Sequence, residues 1–170
     1  MKKTLWITQT AVLTALLVLL QTVTKAGGQM LTGSCVNAVL AVAVLFAGLW
    51  SGMTVAVVSP FFAFLLGIGP QLLPIVPAIA LGNLTYVLLW HVLFDKQLWR
   101  QGSSLLLAAT GKFLVLYLLV VQLLCRMLPL AEKQATTFTA MFSWPQLVTA
   151  LIGGGIALLI VPILRKAFRR

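Results

Sequence analysis

Residues 103–128 read SSLLLAATGKFLVLYLLVVQLLCRML, and this stretch decides the fold. Lys112 and Arg126 are its only charged residues. A hydrocarbon layer about 30 Å thick takes about 20 apolar residues of helix, and this run is long enough. Lipid offers no partner for backbone N–H and C=O groups, so a segment of this kind has to be helical. Lys112 lies nine residues beyond Ser103, roughly 14 Å into the layer at about 1.5 Å per residue. A cation at that depth costs about 2.5 kcal/mol or more and calls for a partner or a water-filled cavity. On a helical projection, Lys112, Val115, Leu119, Gln122 and Arg126 share one face, the only polar line on the helix. That face is expected to point into a bundle. The plainer alternative is that Lys112 and Arg126 snorkel toward opposite headgroup layers.

Working outward, five further apolar runs occupy residues 5–24, 35–50, 53–69, 72–94 and 144–164. The second and third are short and meet at Ser51 and Gly52, so a re-entrant pair is an alternative there. The whole chain of 170 residues is 61% hydrophobic and only 8% charged, against about 25% charged in soluble domains. This excludes a soluble globular fold and a disordered tail. The formal charge of +10 resembles that of a nucleic-acid binder, but its distribution does not. Lys2, Lys3, Lys96, Arg100, Arg165, Lys166, Arg169 and Arg170 fall on one side of a six-span chain, and Lys25, Arg126 and Lys133 on the other. Basic residues gather on the cytoplasmic side of membranes. The expectation is therefore an all-α integral membrane protein. It would be a single transmembrane domain over residues 1–170, a six-transmembrane-helix bundle with both termini cytoplasmic. The first run, with Gln9 and Gln21 inside it, does not read as a cleavable signal.

Further polar groups fall on defined faces. Asn83, Tyr86 and Trp90 follow helical spacing in the fourth run, with Asn83 near mid-layer. An amide there needs a partner; contact with Lys112 across the bundle is one reading, a bond to a neighbouring carbonyl the other. In the sixth run Gln146, Thr149 and Gly153 align, with Trp144 just before them as an interfacial anchor or a ligand platform. Trp6, Trp50, Trp90 and Trp99 also fall near expected interfaces. The stretch KAGGQMLTGSCVN, residues 25–37, reads as a flexible outer loop. With Gly69, Pro70 and Gln71 it could cap a pocket open to the outside. Ala11 and Ala15 in the first run form an A-x-x-x-A pair, which allows close helix approach. Cys35, Cys125 and the single His91 make no metal-ligand spacing, so neither metal nor cofactor is expected. No G-x-S-x-G or HExxH motif is present, and no catalytic residue is assigned.

Taken together, the chain resembles the substrate-binding subunit, or S-component, of energy-coupling factor (ECF) vitamin transporters. The marks are Ala11 and Ala15 in the first run, Gly82-Asn83 in the fourth and Lys112-Phe113 in the fifth, in a chain of matching size and span number. The resemblance implies that the face bearing Ala11 and Ala15 docks on a transmembrane coupling protein driven by two cytoplasmic ATPase subunits. It also implies a vitamin-like solute bound near the outer side. On that basis the substrate-binding candidates are Asn37, Gln71, Asn83, Tyr86, Lys112, Gln122, Arg126, Trp144 and Gln146. The expected setting is the lipid bilayer of a bacterial plasma membrane, with no nucleic-acid partner and no enzymatic activity.

Charge narrows the solute. Asp95 and Glu132 are the only acids, and both lie outside the runs. A buried cationic ligand would have only aromatic rings to cage it. Lys112 and Arg126 suit a carboxylate- or phosphate-bearing molecule, or a polar neutral one, instead, and a pantothenate-like acid leads. The competing reading is a membrane assembly or scaffold protein whose polar stripe faces other subunits and whose interior is filled.

Overall fold

The computed structural model describes residues 3–95 and 97–168; Lys2, Lys96, Arg169 and Arg170, used above to orient the chain, lie outside them. The described residues are helical and contain no strand. The helices are α1 (Lys3–Thr24), α2 (Gly28–Val42), α3 (Leu49–Leu65), α4 (Ile75–Leu93), α5 (Leu98–Leu116), the single turn α6 (Cys125–Met127), α7 (Glu132–Met141) and α8 (Trp144–Ala167). A 3-10 turn over Lys25–Gly27 joins α1 to α2. Wider π turns prolong α2 through Ala43–Ala47 and α5 through Tyr117–Leu124. By length and composition, four helical runs could each cross a membrane: Thr4–Ala47, which is broken at the 3-10 turn, Ile75–Leu93, Trp99–Met127 and Glu132–Ala167. Leu49–Leu65 is a shorter apolar helix beside them.

Contacts between distant residues fix which ends lie together. Near the start of α1, Thr10 shares a 2.6 Å hydrogen bond with Ser51 at the start of α3. Near the end of α8, Arg165 donates to the carbonyl of Leu45 at 2.7 Å, and Phe168 packs on Phe46. The start of α1 and the end of α8 therefore share one end of the bundle. The other end gathers the α1–α2 turn, the segment after α3 and α7, where Gln29 donates to the carbonyl of Met141.

The apolar residues serve both sides of these helices. Leu17, Leu40, Val55, Tyr86, Val87, Trp90 and Ala157 fill one core, and Ile75, Leu116, Val120, Phe138 and Phe142 a smaller one. Yet Val12, Leu65, Val92, Leu159 and Ile163 are exposed. Helices that are apolar all round suit surroundings of lipid.

Three local expectations change. The break between the second and third runs falls at Gly48, not at Ser51 and Gly52. Gly48 holds φ at 101°, where a Cβ would be strained, and α3 starts at the next residue. Ser51 and Gly52 are buried inside α3 and serve packing. The stretch 25–37 is helical nearly throughout, because α2 packs along α8 and tertiary contact overrides weak local propensity. Trp90 is wholly buried between Tyr86 and Phe94 and does not face outward as an interfacial anchor would.

Gly153 sets the α2–α8 distance. A Cβ there would lie 2.5 Å from the carbonyl oxygen of Ser34 and 2.6 Å from the backbone nitrogen of Ala38. Only hydrogen fits, which brings Asn37 and Thr149 within reach of each other.

Candidate functional site

Lys112 projects from near the end of α5, before the π stretch, into the bundle and is 3% exposed. Its Nζ donates to Asn37 Oδ1 on α2 at 2.6 Å and to Asn83 Oδ1 on α4 at 2.7 Å. The Tyr86 ring stands 5.6 Å away on a third side. Three helices thus meet on one amine, and the partners are amides rather than carboxylates. Asp95 pairs with Arg100 at 2.6 Å near the turn between α4 and α5, and Glu132 opens α7. Neither acid serves Lys112.

An amide can point its oxygen or its nitrogen at a neighbour, so something must orient both asparagines. For Asn83 the cause is Pro60. Proline lacks an N–H, so the carbonyl four residues earlier in the helix, that of Ala56, has no helical donor. Asn83 Nδ2 points at this carbonyl at 3.4 Å, which turns Oδ1 toward Lys112. For Asn37, Nδ2 donates to Thr149 Oγ1 at 3.3 Å, and Thr149 in turn donates to the carbonyl of Gln146. Tyr86 is held by its hydroxyl, which donates to the carbonyl of Ala150 at 2.9 Å. Each group around Lys112 is itself anchored, so the arrangement is fixed before anything binds.

Beyond Lys112 lies a cavity of about 200 Å³, below the about 300–1,000 Å³ usual for drug-sized ligands. Lys112, Asn37 and Asn83 line its polar part. Pro60, Phe64, Val76 and Ile79 form apolar wall, and Gln21 contributes from α1. Met141, Phe142 and Gln146 border it from α7 and α8, and Lys25, Gly69 and Pro70 belong to the end away from the chain termini. Chemically this is a small apolar chamber with a fixed hydrogen-bond donor and no negative charge in its lining.

The sequence candidates divide as follows. Asn37, Asn83, Lys112 and Gln146 line the cavity; Gln146 also donates to the Met141 carbonyl at 3.1 Å. Tyr86 supports Lys112 but is not in the lining. Gln71 is exposed next to the lining residue Pro70. Gln122 donates to the Tyr117 hydroxyl at 2.9 Å, Arg126 is exposed and Trp144 is 65% exposed; none of the three is in the lining. The reason for Gln122 and Arg126 is the π stretch Tyr117–Leu124. A π turn takes one more residue than an α turn, so the polar line drawn with α geometry no longer continues the Lys112 face. Ala11 and Ala15 are exposed on α1, in an apolar groove shared with Thr54, Val58 and Phe62 of α3.

Gln21, Gln29, Ser59 and Pro60 were not singled out as site residues, although all four line the cavity. The signal for Pro60 was available: a proline inside an apolar helix frees a carbonyl that needs a donor, and mid-layer Asn83 is one.

A family model described as "ECF transporter, substrate-specific component" matches residues 6–165. No curated protein and no solved structure matches the chain.

Proposed function

Because this chain belongs to the ECF transporter substrate-specific component family, and so is a multi-pass membrane protein and a transporter's substrate-specific subunit, we propose that the cavity beside Lys112 captures a small acidic solute. The solute enters from the outer side of a bacterial plasma membrane and is a vitamin or vitamin precursor of pantothenate type. The observation that carries this reading is the neutral cradle of Lys112. Its Nζ meets two amide oxygens and a ring, in a chain whose two acids lie elsewhere. A lysine ammonium has three donors and the two amides take two of them, so one remains, and a charged hydrogen bond to a carboxylate is among the strongest it can make away from water. The apolar wall then takes the solute's carbon skeleton.

In this account six helices cross the membrane, α1 through α5 and α8, with both termini cytoplasmic. Exposed Trp50 and Trp99 toward the end shared by the termini, and exposed Trp144 at the other end, suit the two interfaces, and the excess of Lys and Arg on the terminal side supports the orientation. The groove along Ala11 and Ala15 receives a transmembrane coupling protein, itself driven by two ATPase subunits, and delivery is ATP-dependent. The chain itself carries out no catalysis. An interior that holds an open cavity speaks against a scaffold whose space is filled.

Mass spectrometry of small molecules retained by the purified protein tests the proposal. A carboxylate- or phosphate-bearing solute is expected. Retention of a cationic solute only, or of a neutral one that persists in Lys112→Met, would overturn it.

A further inference from the structure

The α1 and α3 side of the cavity holds two polar groups that the fold does not use. Gln21 is 6% exposed and Ser59 1% exposed, and both line the cavity. Gln21 Oε1 and Ser59 Oγ are buried without a hydrogen-bond partner among the described residues. Ser59 departs from a common habit of the helical hydroxyls in this bundle. Thr8, Thr10, Thr14, Ser34, Thr54 and Thr85 each donate to the carbonyl four residues earlier, at 2.8–2.9 Å. Ser59 is as deeply buried as any of them and leaves that bond unmade. Buried polar groups are almost always paired, and an unpaired one bordering a cavity calls for a partner from within it.

We infer that Gln21 and Ser59 form a second polar subsite, which takes a hydroxyl group of the solute whose acid meets Lys112. Both residues are neutral, so the subsite has no use for a charge. An amide oxygen needs a donor, while the amide NH2 needs an acceptor and the serine hydroxyl takes either role. A hydroxyl group donates and accepts, and it satisfies this set in a way that an ether, a ketone or an alkyl group does not. The substrate class becomes a small hydroxy acid with an apolar middle. The inference rests on the reading of the cavity as the substrate site and adds the α1–α3 side to it.

Three probes separate the two claims by titration into the purified chain in lipid nanodiscs. Pantothenate carries a carboxylate and hydroxyls. N-(3,3-dimethylbutanoyl)-β-alanine keeps the carboxylate, the amide and the whole carbon skeleton but has no hydroxyl. Panthenol keeps the hydroxyls and replaces the carboxylate with an alcohol. The subsite predicts that N-(3,3-dimethylbutanoyl)-β-alanine binds at least about 10-fold more weakly than pantothenate, because its absence of hydroxyls leaves buried groups unpaired. It also predicts that Gln21→Met and Ser59→Ala each weaken pantothenate and do not weaken N-(3,3-dimethylbutanoyl)-β-alanine. Equal binding of those two acids to the unmutated chain overturns the subsite, and no variant has to fold for that comparison. If panthenol is then weaker than pantothenate, the acid reading at Lys112 survives alone. If panthenol equals pantothenate while N-(3,3-dimethylbutanoyl)-β-alanine is weak, the subsite stands and the acid reading falls. If none of the three binds, both are overturned.

Discussion

The orientation of Asn83 is the step in the account that depends most on a single atom, the hydrogen that Pro60 lacks. Pro60→Ala restores that hydrogen and lets residue 60 donate to the Ala56 carbonyl within α3. The consequence is best read in a double-mutant cycle with Asn83→Ala. In the parent, Asn83→Ala removes one acceptor from Lys112 and leaves the buried Ala56 carbonyl without a donor. The first loss, a hydrogen bond to a charged group, is about 1.5–3 kcal/mol, and the second, an unsatisfied buried acceptor, about 1–3 kcal/mol. In the Pro60→Ala background the helix already serves the carbonyl, so only the first loss remains. The coupling between the two substitutions is therefore about 1–3 kcal/mol, well above the about 0.3–0.5 kcal/mol within which independent sites add. Reversible denaturant unfolding of the four proteins in detergent micelles, followed by circular dichroism, measures it. Additivity within about 0.5 kcal/mol would refute the link from Pro60 through Ala56 to Asn83.

Other consequences follow from single contacts. Gly153→Val drives methyl groups into the Ser34 carbonyl and Ala38 nitrogen; it should destabilise the same unfolding transition by about 1–3 kcal/mol or more, whereas Gly155→Ala, where a Cβ meets nothing within 4 Å, should leave it unchanged or up to about 1 kcal/mol more stable. Thr149→Val removes the hydroxyl that holds the Asn37 amide nitrogen, at a cost of about 1 kcal/mol, and pantothenate affinity should fall with it; unchanged affinity would show that Asn37 is oriented by something else. Ala15→Trp fills the exposed groove on α1. Retained solute should be unchanged while co-purification with the coupling protein and ATPases is lost, and a complex that still forms would place the docking face elsewhere.

Much of this was legible in the sequence because charge and amide groups in an apolar chain have so few places to go. Lys112 and Asn83 were each placed near mid-layer by counting residues, and they meet at 2.7 Å. What counting cannot supply is a change of helix type. The π stretch Tyr117–Leu124 carries no composition mark that sets it apart from α-helix, and it moved Gln122 and Arg126 off the Lys112 face. Small and polar residues misled in a second way. Ser51, Gly52 and the stretch from Lys25 to Asn37 resemble loop, yet in a bundle the same residues permit close helix contact. Trp90 misled because a tryptophan in an apolar run reads as an interfacial anchor; here it fills the core beside Tyr86. The cavity's α1 and α3 wall was missed since Gln21 and Ser59 lie far apart along the chain, and only packing brings them to one chamber.

The central claim is that Lys112 holds the acid of a captured solute. Pantothenate titrated into the parent and into Lys112→Met, both checked to be folded by a cooperative unfolding transition, tests it most directly. Loss of one charge-assisted hydrogen bond of about 1.5–3 kcal/mol predicts affinity roughly 10- to 150-fold weaker in the variant. Equal affinity in the two proteins would contradict the account.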